Sequence, residues 1–256
     1  MTGDGLGIRF LGHSTVLVEI DGLRVLTDPV LRSRVGPLRR QHPVPDIDGL
    51  AIDAVLISHL HHDHLDLPSL RSLSGNPLLV VPAGGAGYLH QRGFDTIREV
   101  RPGEMVALGT LELAATQAVH RGARIPFGPS APALGYVISG SSRTVYFAGD
   151  TDLFPGMADL GPVDVALLPV WGWGPRLGPG HLDPERAARA VALIRPRYAV
   201  PIHWGTLWPM GMARVRAHRR QEPPVEFETA VRRLAPGVTV LRTAPGETVA
   251  FPGGRL

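Results

Sequence analysis

A run of potential metal ligands lies directly after a short apolar segment in the first quarter of the chain. Residues 53–58 read Asp-Ala-Val-Leu-Ile-Ser, which predicts a β-strand with buried side chains. Four side chains follow it at His-x-His-x-Asp-His spacing, namely His59, His61, Asp63 and His64. Imidazole nitrogens and carboxylate oxygens suit divalent transition metals, so this turn could serve one ion and the Asp-His pair a second. A cluster of surface histidines without metal is the alternative.

Three further ligand candidates occupy the same kind of position later in the chain. His120, Asp150 and His203 each follow or end a segment that reads as a β-strand. Taken singly, a histidine or aspartate at a strand end is more often a capping or core residue. Layered α/β folds, however, place their sites at the C-terminal ends of strands, where the loops converge. Together with the first run, these three residues predict a site for two metal ions.

Composition narrows the class of protein. A chain of 256 residues is long enough to bury a large core, and we expect residues 1–256 to form a single domain. The sequence contains no stretch of 18 apolar residues, so stable insertion in a membrane is not expected. The N-terminus does not read as a secretory signal, and a cytoplasmic location is therefore expected. The chain has no cysteine, which excludes thiolate ligands. We expect no nucleic-acid partner, since no motif for one is present, and homo-oligomerisation stays open.

Two basic clusters and three apolar segments have no assigned role at this point. All 26 basic residues are arginines, and eight of them form two clusters, Arg32, Arg34, Arg39 and Arg40, and Arg214, Arg216, Arg219 and Arg220. These clusters are either solvated loops or attract a phosphate-bearing substrate or an anionic membrane surface. The segments 125–127, 171–175 and 208–212 either line an apolar substrate pocket or pack as ordinary loops.

The order of the predicted elements favours two packed sheets with helices outside. Runs of strands alternate with helices, which predicts an α/β (α+β) fold of the αβ/βα sandwich type. The clearest helix covers residues 183–194, with Asp183 as N-cap and Pro184 in the first turn. A second helix is predicted over 226–234, and short strands around 239–241 and 248–251. Residues 29–50 and 205–225 are predicted to be irregular loops.

Several of these segments also resemble those of a known superfamily. They are Leu-Gly-His-Ser-Thr-Val-Leu-Val-Glu-Ile (11–20), Leu-Thr-Asp-Pro-Val (26–30), the 59–64 run, Tyr-Phe-Ala-Gly-Asp-Thr (146–151), His-Leu-Asp-Pro-Glu (181–185) and Pro-Ile-His-Trp-Gly-Thr (201–206). The chain resembles metal-dependent hydrolases of the metallo-β-lactamase fold. It is most similar to the branch with N-acyl-phosphatidylethanolamine-hydrolysing phospholipase D and the ascorbate-6-phosphate lactonases. The resemblance implies a four-layer αβ/βα sandwich of two mixed sheets flanked by helices.

The resemblance also implies roles for individual residues. One divalent ion is expected on His59, His61 and His120, a second on Asp63, His64 and His203, and Asp150 is expected to bridge them. Zinc is the first expectation for these ions, with manganese or iron as the alternative. Asp28 is expected to orient a ligand histidine, unless it is only a turn residue before Pro29. His181 is expected to face the substrate phosphate, unless it merely begins a helix.

The function that follows is hydrolysis by a hydroxide shared between two metal ions, with Asp63, Asp150 and His181 as catalytic residues. The expected substrate is a phosphodiester carried by a small molecule or a lipid. One alternative is a lactonase that opens a phosphorylated sugar lactone, and another is a non-catalytic interaction protein that keeps its metals for stability. The continuation Arg-Gly-Ala-Arg (121–124) departs from the phospholipase pattern and puts a lipid substrate in doubt.

Overall fold

Two mixed β-sheets and four α-helices form the framework in the computed structural model, which describes residues 5–121 and 130–251. In chain order the strands are β1 (Gly7–Gly12), β2 (Thr15–Ile20), β3 (Leu23–Thr27), β4 (Arg34–Val35), β5 (Leu38–Arg40), β6 (Ala54–Leu56), β7 (Leu78–Pro82), β8 (Ile97–Val100), β9 (Met105–Leu108), β10 (Leu111–Gln117), β11 (Leu134–Ser139), β12 (Thr144–Phe147), β13 (Val165–Pro169), β14 (Tyr198–Ile202), β15 (Leu207–Pro209) and β16 (Thr239–Val240). The helices are α1 (Leu67–Ser72), α2 (Ala86–His90), α3 (Pro184–Ile194) and α4 (Pro223–Leu234), with 3-10 turns at Pro155–Asp159 and Ala217–Arg220.

Each large sheet joins an antiparallel half to a parallel half. The first has the order β1-β2-β3-β6-β7-β8, antiparallel up to β3 and parallel from β3 onward. The second has the order β16-β14-β13-β12-β11-β10-β9, antiparallel from β9 to β12 and parallel from β12 to β16. Because parallel strands end at the same edge of a sheet, the loops after β3 and β6 and those after β12, β13 and β14 can converge on one site.

The apolar side chains show how the layers pack. Along β2, Val16, Val18 and Ile20 belong to the core between the sheets, whereas Leu17 faces a second apolar cluster with Leu70 of α1 and Leu89 of α2. This two-residue alternation is typical of a strand with a different layer on each face. All five residues of β13 are buried, and the apolar faces of α3 and α4 pack on the same core. The order helix, sheet, sheet, helix is the four-layer mixed sandwich that the sequence predicts.

Two segments predicted as irregular loops contain regular structure, and here the sequence-based prediction is wrong. Within residues 29–50, β4 and β5 form a hairpin, and β15 from the 205–225 segment pairs antiparallel with β5. The buried ring of Trp208 anchors this third, three-stranded sheet, and its indole N–H donates to Met212 O at 2.8 Å. Strand pairs of only two or three residues leave too short a pattern for a prediction from sequence.

The start of one helix and the presence of one strand also differ from the prediction. Helix α4 begins at Pro223 rather than residue 226, because proline fits the first turn of a helix, where no N–H is needed. Residues 248–251 form no strand, and Thr248 makes only an isolated bridge with Arg9. No helix in the described part of the chain is long and apolar enough to cross a membrane.

Candidate metal centre

The predicted ligand residues meet at the ends of the parallel strands. Asp28 follows β3, the run from His59 to His64 follows β6, and Asp150 and His203 follow β12 and β14. His120 comes three residues after β10 and reaches the same place. The structure also brings in His13, from the tight connection between β1 and β2, and His181, from the loop before α3.

Three imidazoles form the first group of this centre. His59 Nε2 lies 2.8 Å from His61 Nδ1, which lies 3.3 Å from His120 Nε2. His120 Nδ1 donates to Gly180 O at 2.8 Å, so its Nε2 turns a lone pair toward the other two rings. Burial lowers the pKa of all three imidazoles, to about 4 for His61. They are therefore neutral at physiological pH, which is the form that binds a metal.

The second group contains Asp63, His64, His203 and also His13, whose ligand atoms lie within 4.8 Å of one another. His203 Nε2 is 3.2 Å from His64 Nε2, and His203 Nδ1 donates to Trp171 O at 3.1 Å. Burial holds the pKa of His203 well below its ordinary value. Burial also acts to lower the pKa of His64, but the carboxylates of Asp150, Asp63 and Asp28 outweigh it and raise that pKa well above the ordinary value.

Asp150 lies between the groups. Its Oδ1 is 3.1 Å from His203 Nε2, its Oδ2 is 3.2 Å from His64 Nε2, and it also lies within 4.8 Å of His120 and His181. The side chain is only 2% exposed, and Oδ1 has no hydrogen bond of suitable geometry in the described structure. Burial would raise the pKa of this carboxyl, but the surrounding imidazoles, His203 and His64 foremost, hold it well below the ordinary range.

This donor set fits divalent cations. Asp28, Asp63 and Asp150 are buried around His64, so more than one negative charge is withdrawn from water. Such a group is costly unless cations balance it. In the first group, the hydrogen bonds made by Nδ1 of His59 and of His120 leave the Nε2 atom of each ring with a lone pair directed toward His61, and a cation can satisfy such lone pairs together. The residues present therefore suit nitrogen- and oxygen-liganded metals of the zinc, manganese or iron type.

Outer hydrogen bonds fix the orientation of the ligand rings. Asp28 Oδ2 accepts from His64 Nδ1 at 2.7 Å, and Asp28 also accepts from Ser58 through its backbone N–H at 2.7 Å and its hydroxyl at 2.5 Å. With its proton on Asp28, Ser58 Oγ accepts from His59 Nδ1 at 2.9 Å. One carboxylate thus orients two imidazoles, because partners of this kind set which ring nitrogen carries the proton.

Gly149 allows the two sheets to approach at this point. Its φ is +59°, and a Cβ there would lie 2.6 Å from Ser58 Cβ and 2.8 Å from Leu134 O. No L side chain fits so close a contact, and the left-handed backbone disfavours one as well. The glycine before Asp150 therefore brings that carboxylate against the end of β6.

His181 lies at the edge of the centre and, like His61 and His120, is only partly buried. Its Nε2 lies 3.3 Å from Asp150 Oδ2, and its side chain is 20% exposed. Its Nδ1 lies 3.1 Å from Pro179 O and 3.2 Å from Gly178 O. Burial acts to lower the pKa of His181, but the hydrogen bond and charge of Asp150, with the two carbonyls, raise it. The raised pKa favours the protonated imidazole, which can donate a hydrogen bond to an anionic ligand.

The sequence did not assign His13 or Ser58 to the site. His13 is fully buried, its Nε2 lies 3.0 Å from Asp63 Oδ2, and its ring packs 3.9 Å from that of His203, centre to centre. In the sequence, His13 stands between Gly12 and Ser14 within the 11–20 segment that carries the family resemblance, which is the signal that could have found it. Ser58 could have been found as the last residue before the histidine run. His62, within that run, is exposed.

The predicted apolar segments divide into buried and exposed parts. Trp171 is 8% and Trp208 1% exposed, so these rings belong to the packing of the loops. Trp173 and Met210 are 46% and 44% exposed. The prediction for residues 125–127 falls outside the described residues, as do residues 122–124, the larger part of the continuation after His120.

Comparison with known proteins gives consistent matches over most of the chain. The family model described as a beta-lactamase superfamily domain matches residues 23–204. A metal-dependent hydrolase of Methanopyrus kandleri is 34% identical over 94% of this chain and 98% of its own length. N-acyl-phosphatidylethanolamine-hydrolyzing phospholipase D 1 of Caenorhabditis elegans is 32% identical over 81% of this chain and 65% of its own. The solved structure of Igni18, a metallo hydrolase from Ignicoccus hospitalis, matches with a TM-score of 0.74 and 28% identity, over 95% of this chain and 97% of that one.

Proposed function

Since the chain belongs to the metallo-β-lactamase superfamily and is a metal-dependent hydrolase, we propose that it cleaves phosphodiesters with two divalent cations. One ion would be held by His59, His61 and His120, and the other by Asp63, His64 and His203. Asp150 would contribute to both. Zinc suits this histidine-rich set first, and manganese or iron are the alternatives.

The observation that carries this proposal is the position of Asp150. It is a buried carboxylate within 4.8 Å of His120 on one side and about as close as a hydrogen bond to His64 and His203 on the other. A carboxylate has two oxygens, so it can serve two ions that lie side by side. Such a pair of ions, when bound, supplies Lewis-acid activation of a water molecule and stabilises charge on the attacked group.

The protein's own residues contribute orientation and proton transfer. Asp28 and Ser58 hold the rings of His64 and His59 with their Nε2 atoms toward the centre. His13 holds Asp63 in the same way from the other side. His181, at the mouth and with a raised pKa, donates to a phosphate oxygen of the substrate or protonates the leaving oxygen. Two features support a phosphodiester: this imidazole, whose raised pKa favours the protonated form, and the name of the Caenorhabditis elegans relative.

The test combines metal analysis with hydrolysis of bis(p-nitrophenyl) phosphate. We expect about two metal ions per chain in the purified protein, loss of cleavage on chelation, and recovery when zinc or manganese is added back. Asp150→Ala should lose more than about a hundredfold in kcat/KM and bind less metal, while it keeps its fold by circular dichroism. Asp95→Ala, at a 91% exposed side chain, is the matched control and should behave as the unaltered protein.

Other outcomes contradict the proposal in distinguishable ways. Full activity of Asp150→Ala would exclude its place between the ions. Two bound metals without phosphodiester cleavage, but with opening of a phosphorylated sugar lactone, would replace the phosphodiesterase with a lactonase. Two metals with neither reaction would favour an interaction protein that keeps its metals for stability.

A further inference from the structure

Three loop regions of this chain contain arginine but no acidic residue. Residues 29–45, 170–182 and 203–221 hold nine of the 26 basic residues and none of the 23 acidic ones. We call these three regions together the basic rim. Ordinary solvated loops mix both signs of charge, so a rim of one sign creates a local positive potential, whatever the net charge of the chain.

The fold joins the three regions into one surface. Strand β15 pairs with β5, with Trp208 opposite Arg39, and Met210 N donates to Pro37 O at 2.9 Å. Gly174 packs against the ring of Pro209, since a Cβ at that glycine would lie 3.4 Å from Pro209 Cγ. The rim also adjoins the metal centre, because Trp171 O, which accepts from His203, and His181 both belong to it.

Four of the nine arginines are buried or partly buried or make an ion pair, whereas Arg34 and Arg216 are exposed and donate only to backbone carbonyls, of Gly36 and Pro175. Arg32 makes a bidentate pair with Asp66, and Arg219 pairs with Glu226. Arg40 is buried and donates to backbone carbonyls, and Arg220 donates to Gln41. The other five side chains are exposed and make no ion pair within residues 5–121 and 130–251; they are Arg34, Arg39, Arg176, Arg214 and Arg216.

Exposed apolar side chains lie among these free arginines. Seven large apolar residues are exposed in the described structure, and four of them belong to the rim: Val44, Trp173, Met210 and Val215. A surface that combines unpaired arginine with an exposed tryptophan and aliphatic side chains is typical of proteins that lie on a membrane. There the cations meet anionic headgroups, and the apolar groups enter the boundary with the acyl chains.

We propose that the basic rim docks the protein on an anionic phospholipid surface, with the mouth of the metal centre facing the lipid. The reason for such docking rests on the proposed function, since a membrane lipid is itself a phosphodiester. Two copies of this chain would not pair rim to rim, because two surfaces of the same positive charge repel each other. Single-stranded nucleic acid needs several stacking rings, and Trp173 is the only exposed aromatic side chain among the rim's described residues.

The test is co-sedimentation of the full-length protein with vesicles, which measures binding and does not depend on turnover. We expect binding to vesicles of phosphatidylcholine with about 30% phosphatidylglycerol, little binding to phosphatidylcholine alone, and release by high salt. The triple variant Arg39→Gln/Arg176→Gln/Arg214→Gln removes one unpaired arginine from each loop and should lower partitioning by about a hundredfold. Arg71→Gln/Arg98→Gln/Arg101→Gln removes the same charge from exposed positions on α1, β8 and the turn after β8, and should change partitioning by less than about threefold.

Three results would overturn the docking. Equal loss of binding in both triple variants would show an effect of net charge alone, and equal binding to both kinds of vesicle would exclude headgroup charge. Absence of vesicle binding, together with a raised KM for bis(p-nitrophenyl) phosphate in the rim variant, would mean that the arginines attract a soluble anion. The proposed hydrolysis can fail while vesicle binding persists, so the two proposals are separable.

Discussion

His13 shows how a strained backbone position serves the centre. Its φ of +58° lies in the left-handed region, which costs a residue other than glycine on the order of 1 kcal/mol. Its backbone N–H donates to Thr206 Oγ1 at 2.7 Å, and its carbonyl accepts from His203 N at the same distance. These two bonds join the β1–β2 turn to the end of β14. The imidazole is thereby held against Asp63 and His203 at once.

We expect His13→Asn to weaken metal binding by roughly 10- to 100-fold, as is usual when the partner of a ligand is removed. Asparagine tolerates the left-handed backbone, so the change isolates the imidazole that holds Asp63. Competition with a chromogenic chelator measures the affinity. His90→Asn, at an exposed histidine on α2, is the control and should bind metal as the unaltered protein does. Equal affinities of the two variants would mean that His13 only fills space.

His181 should act on the substrate and not on metal content. Its partial exposure and its contact with Asp150 place it where a phosphate oxygen would enter. We expect His181→Ala to keep both metals and to lose about 10²–10⁴-fold in kcat, the usual contribution of a general acid. Mass spectrometry measures the metal content of the variant, and steady-state kinetics measure its kcat. Loss of one metal in this variant would instead make His181 a ligand.

At the scale of the element, α3 is stabilised by its N-cap. Asp183 accepts from Arg186 N at 2.8 Å, and Pro184 occupies the first turn. We expect Asp183→Ala to lower the free energy of unfolding by about 1 kcal/mol, since an uncapped helix leaves its first N–H groups without partners. Urea denaturation measures this loss. Asp159→Ala, outside this cap, is the control, and an equal loss there would contradict a capping effect.

An element is predicted well from the sequence when the residues that determine it lie close together in the chain, and poorly when they lie far apart. The capping residue, the proline and the apolar face of α3 all lie within a dozen residues, and the predicted end at Ile194 is the observed one. The third sheet depends on pairing between β5 and β15, which lie far apart in the chain. Its strands have too few residues for a periodic pattern, so the prediction of two irregular loops was wrong.

The same reasoning applies to the centre. His59, Asp150 and His203 were recognised because each follows a buried strand, which is a local signal. The contact between His13 and Asp63 depends on how the turn of one strand pair meets the loop after β6, and no local pattern encodes it. The hydrogen bond from Ser58 to Asp28 likewise joins two strand ends that become neighbours only in the sheet.

For the molecule as a whole, the small net charge conceals a separation of charge. The chain carries a formal charge of +3, yet the basic rim carries nine positive charges, so the rest of the chain is net negative by six. The buried carboxylates of the centre lie beside the rim. Anionic ligands would therefore be attracted toward an opening whose interior, before metal binding, is itself negative. Bound metal cations would make the charge of the interior positive, like the charge of the rim.

Metal binding should consequently be coupled to proton release. In the metal-free protein the carboxylates around His64 keep its pKa well above the ordinary value, so this imidazole is charged at neutral pH. His59, His120 and His203 have lowered pKa values and His61 one of about 4, so these rings are already neutral. A cation that binds His64 must displace its proton. We therefore expect release of about one proton per chain at pH 7, and a dissociation constant for zinc that rises as the pH falls.

Calorimetric titration with zinc in two buffers of different ionisation enthalpy measures the protons released. His181 also has a raised pKa, and it adds a second proton only if its contact with Asp150 is broken, so His181→Ala removes that contribution. Below pH 7 the affinity should fall by at least roughly a factor of ten per pH unit for the proton on His64, and more steeply as the rings with lowered pKa values take up protons, His61 near pH 4. A pH-independent affinity over this range would mean that His64 is neutral before the metal arrives. The buried carboxylates would then need another source of positive charge.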